Sequence, residues 1–200
     1  SRVSINAGIG KRYLSEDKNT ITGINAFLDY DDEGNTRSSI GLEFRRSAVE
    51  AFVNAYFGLS IANEIGTFTE RVLDGNEITI IGEIPYIPWA NIVFNHYEWQ
   101  ADKNSKNSKG DKFSAELALT PNLIVEVGQD SNNIDGSNNF AKVSVVYPSR
   151  DRVSLKDGIT ADVMFTSGDI SSQMLSKVRR TNTMIIESEG TGVVIARATE

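Results

Sequence analysis

Hydrophobic and polar positions alternate with a period of two along much of this chain. The clearest stretch is residues 23–45, where two alternating runs flank a short polar turn. Successive side chains of a β-strand point to opposite faces, so this stretch predicts a hairpin with one apolar and one charged face. Its second strand places Ile40, Leu42 and Phe44 on one face and Arg37, Glu43 and Arg45 on the other.

The same alternation recurs along the rest of the chain and predicts about eleven strands in total, with no helix longer than one or two turns. Residues 190–200 fit either a short strand or the start of an exit segment. The strands outside the hairpin are predicted over residues 4–14, 49–59, 77–85, 86–100, 113–119, 123–130, 141–148, 159–165 and 181–188.

The connections between these strands differ in length in an ordered way. Those after the third, fifth and seventh strands are short, whereas those after the fourth, sixth and eighth are long and polar; the last of these covers residues 131–139. Short turns on one rim and long loops on the other are typical of outer-membrane β-barrels, with the short turns in the periplasm. An even number of strands would require one more before Ser1, giving twelve.

Composition narrows the class of protein further. No apolar run approaches the roughly 18 residues of a membrane-spanning helix, but a barrel strand needs only about 9–11 residues with every second one apolar. The net charge of −7 argues against a nucleic-acid partner. The absence of cysteine excludes a disulfide scaffold and a thiolate metal site. Because the chain starts almost inside a strand, we interpret it as a mature or excised fragment.

Two motifs in the sequence are candidate functional sites. Residues 29–34 resemble the first half of a calcium loop, but Ile40 stands where a bidentate glutamate is required, so a polar hairpin turn is favoured. His96 is the single histidine and shares a strand face with Glu98. It could act in an outer-membrane hydrolase, or simply line a lumen. The lumen interpretation is favoured, so the sequence predicts no enzyme, catalytic residue, metal site or cofactor.

The faces of the strands carry the remaining predictions. A membrane barrel would turn the charged face to a wet lumen, whereas a soluble barrel or sandwich that binds an apolar ligand would bury the apolar face. The loop pattern favours the membrane barrel. The predicted lumen-facing residues are Asp29, Arg37, Glu43, Arg45, Glu50, Glu83 and Glu116. The predicted lipid-facing residues are Ile40, Leu42, Phe44, Val53, Leu117, Val143 and Val145. Aromatic residues near strand ends are candidates for an interfacial girdle: Tyr30, Tyr56, Tyr86, Trp89, Tyr97, Trp99 and Tyr147.

An ordered set of short segments resembles the β-domain of the intimin/invasin proteins, the inverse autotransporters of Gram-negative outer membranes. The similarity is collinear over roughly residues 4–188, and LSKVRRTNTMIIE (175–187) looks like the final strand segment of that family. The other segments are NAGIGKRYL (6–14), GINAFLDYD (23–31), TRSSIGLEF (36–44), VNAYFGLS (53–60), ER (70–71), LDGNEI (73–78), GEIPYIPWA (82–90), YEW (97–99) and LTPNLIVEVG (119–128).

This resemblance implies an all-β, antiparallel up-and-down transmembrane barrel of twelve strands in the bacterial outer membrane. It implies type V secretion of a C-terminal passenger, which in intimin and invasin is an adhesin that binds a host receptor. Residues 1–189 would form the barrel without its first strand, and residues 190–200 a linker that begins the exit path. The implied partners are outer-membrane lipid, the passenger, the barrel-assembly machinery and periplasmic chaperones.

Overall fold

The computed structural model describes residues 2–103, 106–147, 152–190 and 193–198, the last of these as backbone only. These residues form an all-β structure with two short 3₁₀ turns, Leu155–Asp157 and Ser171–Leu175. No helix in the described part is long and apolar enough to cross a membrane. The strands are β1 (Ser4–Leu14), β2 (Thr20–Asp31), β3 (Thr36–Arg46), β4 (Val49–Gly58), β5 (Asn63–Ile65), β6 (Phe68–Val72), β7 (Gly75–Ile84), β8 (Ile87–Trp99), β9 (Ser108–Ala118), β10 (Leu123–Asn132), β11 (Gly136–Val145), β12 (Ile185–Gly190) and β13 (Val193–Ala198).

Nine strands form one antiparallel sheet, which we call the wall. Its order is β1-β2-β3-β4-β7-β8-β9-β10-β11, so every neighbour in the sheet is also the next wall strand along the chain. This is the antiparallel up-and-down arrangement that the family resemblance implies. The wall strands are 10 to 13 residues long, which is the length that a tilted strand needs to cross a bilayer. The twelfth strand expected before Ser1 lies outside this sequence and stays a prediction.

The wall has two rims. The turn rim carries the connections 15–19, 47–48, 85–86 and 119–122, and the loop rim carries 32–35, 59–74, 100–107 and 133–135. The two longest connections both lie on the loop rim, as predicted. The predicted polar loop over 131–139 is wrong, because β10 and β11 continue through it to a three-residue turn. There Ser131 pairs with Ser137 in the ladder and their hydroxyls are 2.7 Å apart.

Burial in the wall is the reverse of that in a soluble protein. The side chains of β3 that point inwards are buried and mostly polar or charged, whereas Ile40 and Leu42 are more than half exposed. The same alternation holds along β2, β4 and β7. Small apolar clusters, such as Phe52 with Ile81 and Val93, fill only parts of the interior. A soluble fold buries its large apolar side chains, so this arrangement is that of a barrel with an apolar outside.

Of the two strands predicted near the end of the chain, 159–165 is wrong, and 181–188 is a strand only over residues 185–188, which lie in β12. Residues 159–165 form no strand, because their backbone bonds to the turn between β7 and β8: Ala161 N donates to Tyr86 O, and Tyr86 N donates to Met164 O, each at 2.9 Å. The segment 175–187 is not a wall strand either. It runs through the interior, and only its last three residues are extended, in β12.

A second, smaller sheet lies at the loop rim, with strand order β13-β12-β6-β5. β5 and β6 form a hairpin within the connection between β4 and β7, and β12 pairs antiparallel with β6. β13 then pairs with β12, so the stretch 190–200 contains a short strand, one of the two interpretations that fit its sequence. Residues 191, 192, 199 and 200 of that stretch lie outside the described residues.

Candidate functional site

The chain crosses the interior of the wall from the turn rim to the loop rim. Residues 159–170 first pass along the turn rim, where Trp89 Nε1 donates to Ile159 O at 2.8 Å and Ile170 N donates to Lys18 O at 2.9 Å. Residues 171–190, which we call the thread, then turn inwards. They leave at the loop rim, where Leu73 N donates to Ile185 O at 2.9 Å.

Three wall arginines hold the backbone of the thread. Arg12 on β1 donates to the carbonyls of residues 174 and 176 at 2.8 and 2.7 Å. Arg45 donates to the carbonyl of residue 177 at 3.1 Å, and Arg37 to those of residues 181 and 183 at 2.7 and 3.0 Å. Arg37 and Arg45 lie eight residues apart on one face of β3, about 26 Å at about 3.3 Å per residue. These donors therefore follow the thread across most of the wall.

A buried ion pair joins the thread to the wall. Arg180 on the thread donates through both terminal nitrogens to Asp29 on β2, at 2.9 and 2.5 Å. Arg37 Nη2 lies 2.8 Å from the same carboxylate, and the side chains of all three residues are at most 1% exposed. The Arg180 guanidinium also lies over the ring of Phe27, 4.4 Å from its centroid. A buried carboxylate between two guanidinium groups is strongly stabilised in its charged form.

Next to this pair, Thr181 binds a second carboxylate. Its backbone N donates to Glu77 Oε1 at 2.9 Å and to the Tyr56 hydroxyl at 2.8 Å, and its hydroxyl donates to Glu77 Oε2 at 2.7 Å. Tyr56 itself donates to Glu77 Oε1. Since Tyr56 and Glu77 come from the neighbouring strands β4 and β7, they fix this position of the thread against two wall strands.

Arg179 extends to the opposite side of the interior. Its Nη2 donates to Glu116 Oε2 on β9 at 2.6 Å, while Asn54 on β4 donates to its carbonyl oxygen at 2.9 Å. A polar cavity of about 530 Å³ remains beside the thread, lined in part by Arg45, Glu50 and Glu116. The two adjacent arginines of the thread thus bind acidic residues on opposite sides of the wall.

The residues predicted to face a lumen fall on the inner face of the wall. Asp29, Arg37, Glu43, Arg45 and Glu116 are at most 5% exposed, and Glu50 and Glu83 are half-buried. Five of the seven touch the thread or the segment along the turn rim; Glu83, for example, accepts a hydrogen bond from Thr166 N at 2.9 Å. Glu43 instead binds Arg12, and Glu50 binds Arg45 at 3.2 Å.

The residues predicted to face lipid fall on the outer face. Val143 and Val145 are 69% and 77% exposed, while Leu117 is only half-exposed. The other four, Ile40, Leu42, Phe44 and Val53, are 40–59% exposed. Three girdle candidates lie elsewhere. Tyr56 and Trp99 are 1% and 3% exposed and pack together inside, with ring centroids 5.1 Å apart, and the half-buried Tyr97 packs against them.

The two motifs weighed from the sequence take structural roles. His96 does not bind Glu98; its Nδ1 lies 2.8 Å from Asp111 Oδ1, and it shares the outer face of β8 with the exposed Phe94, so the prediction that it lines the lumen is wrong. In the stretch 29–34, Asp31 Oδ1 accepts the backbone N–H of Asn35 at 2.8 Å, closing the β2–β3 turn.

Sequence reasoning missed most residues of the thread site. Arg179 and Arg180 on the thread, and Arg12 and Glu77 on the wall, are not among the residues predicted from the sequence to face a lumen. Both wall residues do follow the alternation of their strands, so extending the lumen-facing set to every charged inward position would have found them. No sequence pattern indicates that residues 171–184 lie inside the wall, because the thread has no period of its own.

Comparisons with known proteins agree with this fold. One solved structure, described as "Unveiling the Mechanism Behind the in-meso Crystallization of Membrane Proteins", is similar with a TM-score of 0.77 at 21% identity. The similarity covers 94% of this chain and 81% of that one. No curated protein matches the sequence significantly.

A family assignment follows from the sequence itself. Residues 1–182 match the family described as inverse autotransporter, beta-domain. Members of that family are secretion anchors and not known enzymes. The all-β wall with an apolar outside and a polar inside agrees with that description. The chain therefore belongs to the inverse autotransporter β-domain family and is an outer-membrane β-barrel that serves anchoring and export in type V secretion.

Proposed function

We propose that this barrel exports a C-terminal adhesin-type passenger and holds it at the cell surface, with the thread as the occupied export path. The observation that carries the proposal is the course of residues 171–190. They enter at the turn rim, contact the wall on several strands and leave at the loop rim beside β6. In outer-membrane barrels the short turns face the periplasm and the long loops the outside. The thread therefore runs outwards from N- to C-terminus.

The way the wall binds the thread suits transport. Arg12, Arg37 and Arg45 all donate to backbone carbonyls. Every residue has such a carbonyl, whatever its side chain. Such donors can hold an extended chain of any sequence as it passes. From residue 174 to residue 183 the thread advances nine residues, about 30 Å if extended, comparable to the thickness of the hydrocarbon core.

The outer face of the wall suits contact with lipid. Large apolar side chains such as Ile9, Ile40 and Val143 are more than half exposed, and in water an apolar surface of this extent would drive association. The same alternation places the charged side chains around the thread. We therefore assign the predicted lumen-facing set to a hydrated export path and the predicted lipid-facing set to the bilayer.

Because the thread runs inside the wall and is not one of its strands, we propose different domain boundaries from those predicted from the sequence. We assign residues 4–145 to the wall, residues 171–190 to the export path, and the region from residue 190 onwards to the start of the passenger side. The proposed partners follow from this assignment: outer-membrane lipid around the wall, the barrel-assembly machinery and periplasmic chaperones during insertion, and a host receptor for the passenger.

Protease accessibility on intact cells tests this function. We expect an epitope tag appended after Glu200 to be digested by an external protease, because β12 and β13 pair with the β5–β6 hairpin at the loop rim. A tag inserted between Ser47 and Ala48 on the turn rim should be protected until the cells are lysed. Protection of the C-terminal tag, or recovery of the chain as a soluble monomer without detergent, would contradict the proposal.

A further inference from the structure

We propose that the β5–β6 hairpin is a strand-pairing clamp, which captures the thread as it leaves the barrel and fixes the position at which export stops. We call the hairpin, residues 63–72, the exit clamp. The inference rests on the proposed outward direction of the thread. It adds a device that ends transport and starts the folding of the exported chain.

The exit clamp offers the thread a strand edge. Its strand β5 pairs with one edge of β6 and leaves the other edge of β6 to β12. Leu73 N, just after β6, donates to Ile185 O at 2.9 Å. Hydrogen bonds alternate along an antiparallel pair, so the backbone N–H of Arg71 faces β12 in the same way. Backbone pairing of this kind is the strand-addition mode by which extended segments bind sheet edges.

Side chains at the clamp select one register of the thread. Ile186 lies opposite Val72, and both pack with Met184 in a cluster in which Met184 and Ile186 are fully buried. One position further out, Arg71 Nη1 lies 3.2 Å from Glu189 Oε2. A slip of one residue would turn the apolar residues of β12 to the opposite face of the sheet. The clamp therefore selects one register of the thread, whereas the wall arginines, which bind backbone carbonyls, do not.

A second loop contacts the thread at the same place. Asp102, in the connection between β8 and β9, donates its backbone N–H to Glu187 Oε2 at 2.8 Å, and its carboxylate lies 3.1 Å from Arg71 Nε. Glu187 is fully buried. The two longest loops of the loop rim thus meet on three consecutive residues of the thread, 185–187. This convergence of two loops indicates a specific binding site for the thread at the point where it leaves the wall.

Once β12 has paired with the clamp, its own free edge can bind a further strand. β12 pairs on its other side with β13, so the sheet that begins on the wall loop continues into the exported chain. An extended chain that leaves the lumen has backbone groups to satisfy, and pairing with β6 satisfies them at once. Each strand added makes withdrawal into the lumen more costly. The clamp therefore makes export effectively one-way.

Engineered cysteine pairs test the register, since the chain has no cysteine of its own. Thr69 and Glu189 are direct partners, so Thr69→Cys with Glu189→Cys should form a disulfide in intact cells. The matched control, Thr69→Cys with Glu187→Cys, is displaced by two residues along the strand and should stay reduced. Equal oxidation of both pairs, or of neither, would overturn the fixed register.

A proline substitution tests the capture. Arg71→Pro removes the backbone donor that faces β12, whereas Arg71→Ala removes only the ion pairs, and Thr67→Pro places a proline in the β5–β6 turn. We expect surface exposure of a C-terminal tag to fall several-fold in Arg71→Pro, to fall less in Arg71→Ala and to stay unchanged in Thr67→Pro, at equal barrel levels. If the parent chain and Arg71→Pro expose the tag equally, the proposed clamp is wrong, but the proposed export function is still supported. If the parent chain exposes no tag, both proposals fail.

Discussion

At the residue scale, Asp29 is the position on which the interior depends most. Its carboxylate lies between Arg37 and Arg180 with no exposure to solvent. Asp29→Asn would leave two buried guanidinium groups without their shared counter-charge, and breaking such a pair costs about 3–5 kcal/mol. We expect that loss in a denaturant titration of the protein refolded into lipid vesicles. Asp169→Asn, at an exposed pair with Lys18, should change little, and equal losses in both variants would contradict this role.

Two glycines of the wall make a matched pair at the same scale. A Cβ at Gly41 would lie 2.3 Å from Asn54 Oδ1 and 2.7 Å from Asn25 Oδ1, whereas a Cβ at Gly82 would meet nothing within 4 Å. Overpacking costs about 1–3 kcal/mol. Gly41→Ala should therefore destabilise the barrel by about that amount and Gly82→Ala should be neutral in the same titration. The reverse order would show that the inner face is packed differently.

At the scale of single elements, β3 provides the test of orientation. Leu42 is 59% exposed near the middle of this strand, on the face assigned to lipid. Leu42→Arg should cost about 2–4 kcal/mol, the penalty for arginine near the bilayer midplane. Ile61→Arg places the same charge at an exposed position on the loop rim and should cost only about 0–1 kcal/mol. Equal costs in vesicle-refolding titrations would contradict the assigned outer face.

The segment along the turn rim has its own pH dependence. Hydrogen bonding with Ser171, including its backbone N–H at 2.7 Å, lowers the pKa of Asp169 below its usual value. A lowered pKa stabilises the folded state above the unfolded pKa, near 3.9, and this contribution is lost as the pH falls through the folded value. We expect the protection factor of the Ser171 amide, the intrinsic exchange rate divided by the observed rate at the same pH, to fall below about pH 4. Asp169→Asn should remove this change, and a wild-type protection factor that stays constant across that pH range would contradict it.

At the scale of the whole molecule, the thread occupies the interior of the wall. Cavities of about 530 and 290 Å³ lie beside it. Arg179→Ala with Arg180→Ala removes the side chains that bind Glu116 and Asp29, so the thread should move more freely. We expect a higher single-channel conductance in planar bilayers than for the parent protein. Lys11→Ala, on the exposed first strand, is the control, and unchanged conductance in the double variant would show that other contacts hold the thread.

The sequence alone determined the wall. A period of two is a local property, and a strand that separates two environments must obey it residue by residue. The faces of β2, β3 and β4 could therefore be read from the chain, and so could the absence of long helices. The loop pattern and the collinear family segments supplied the orientation that alternation by itself does not, because a soluble and a membrane barrel share the same alternation.

Only the tertiary structure decided what lies inside the wall. The pairs Arg180–Asp29 and Arg179–Glu116 join residues 151 and 63 positions apart, and the thread between them has no period that marks it as interior. Its segment 175–187 looked like one more strand because extended chains resemble each other whether they pair with a sheet or with side chains. The partner of β12 was equally hidden, since β6 lies within a loop that shows no alternation. Local pattern specifies an element, but only the arrangement of all the strands in space specifies which segment runs along their inner face.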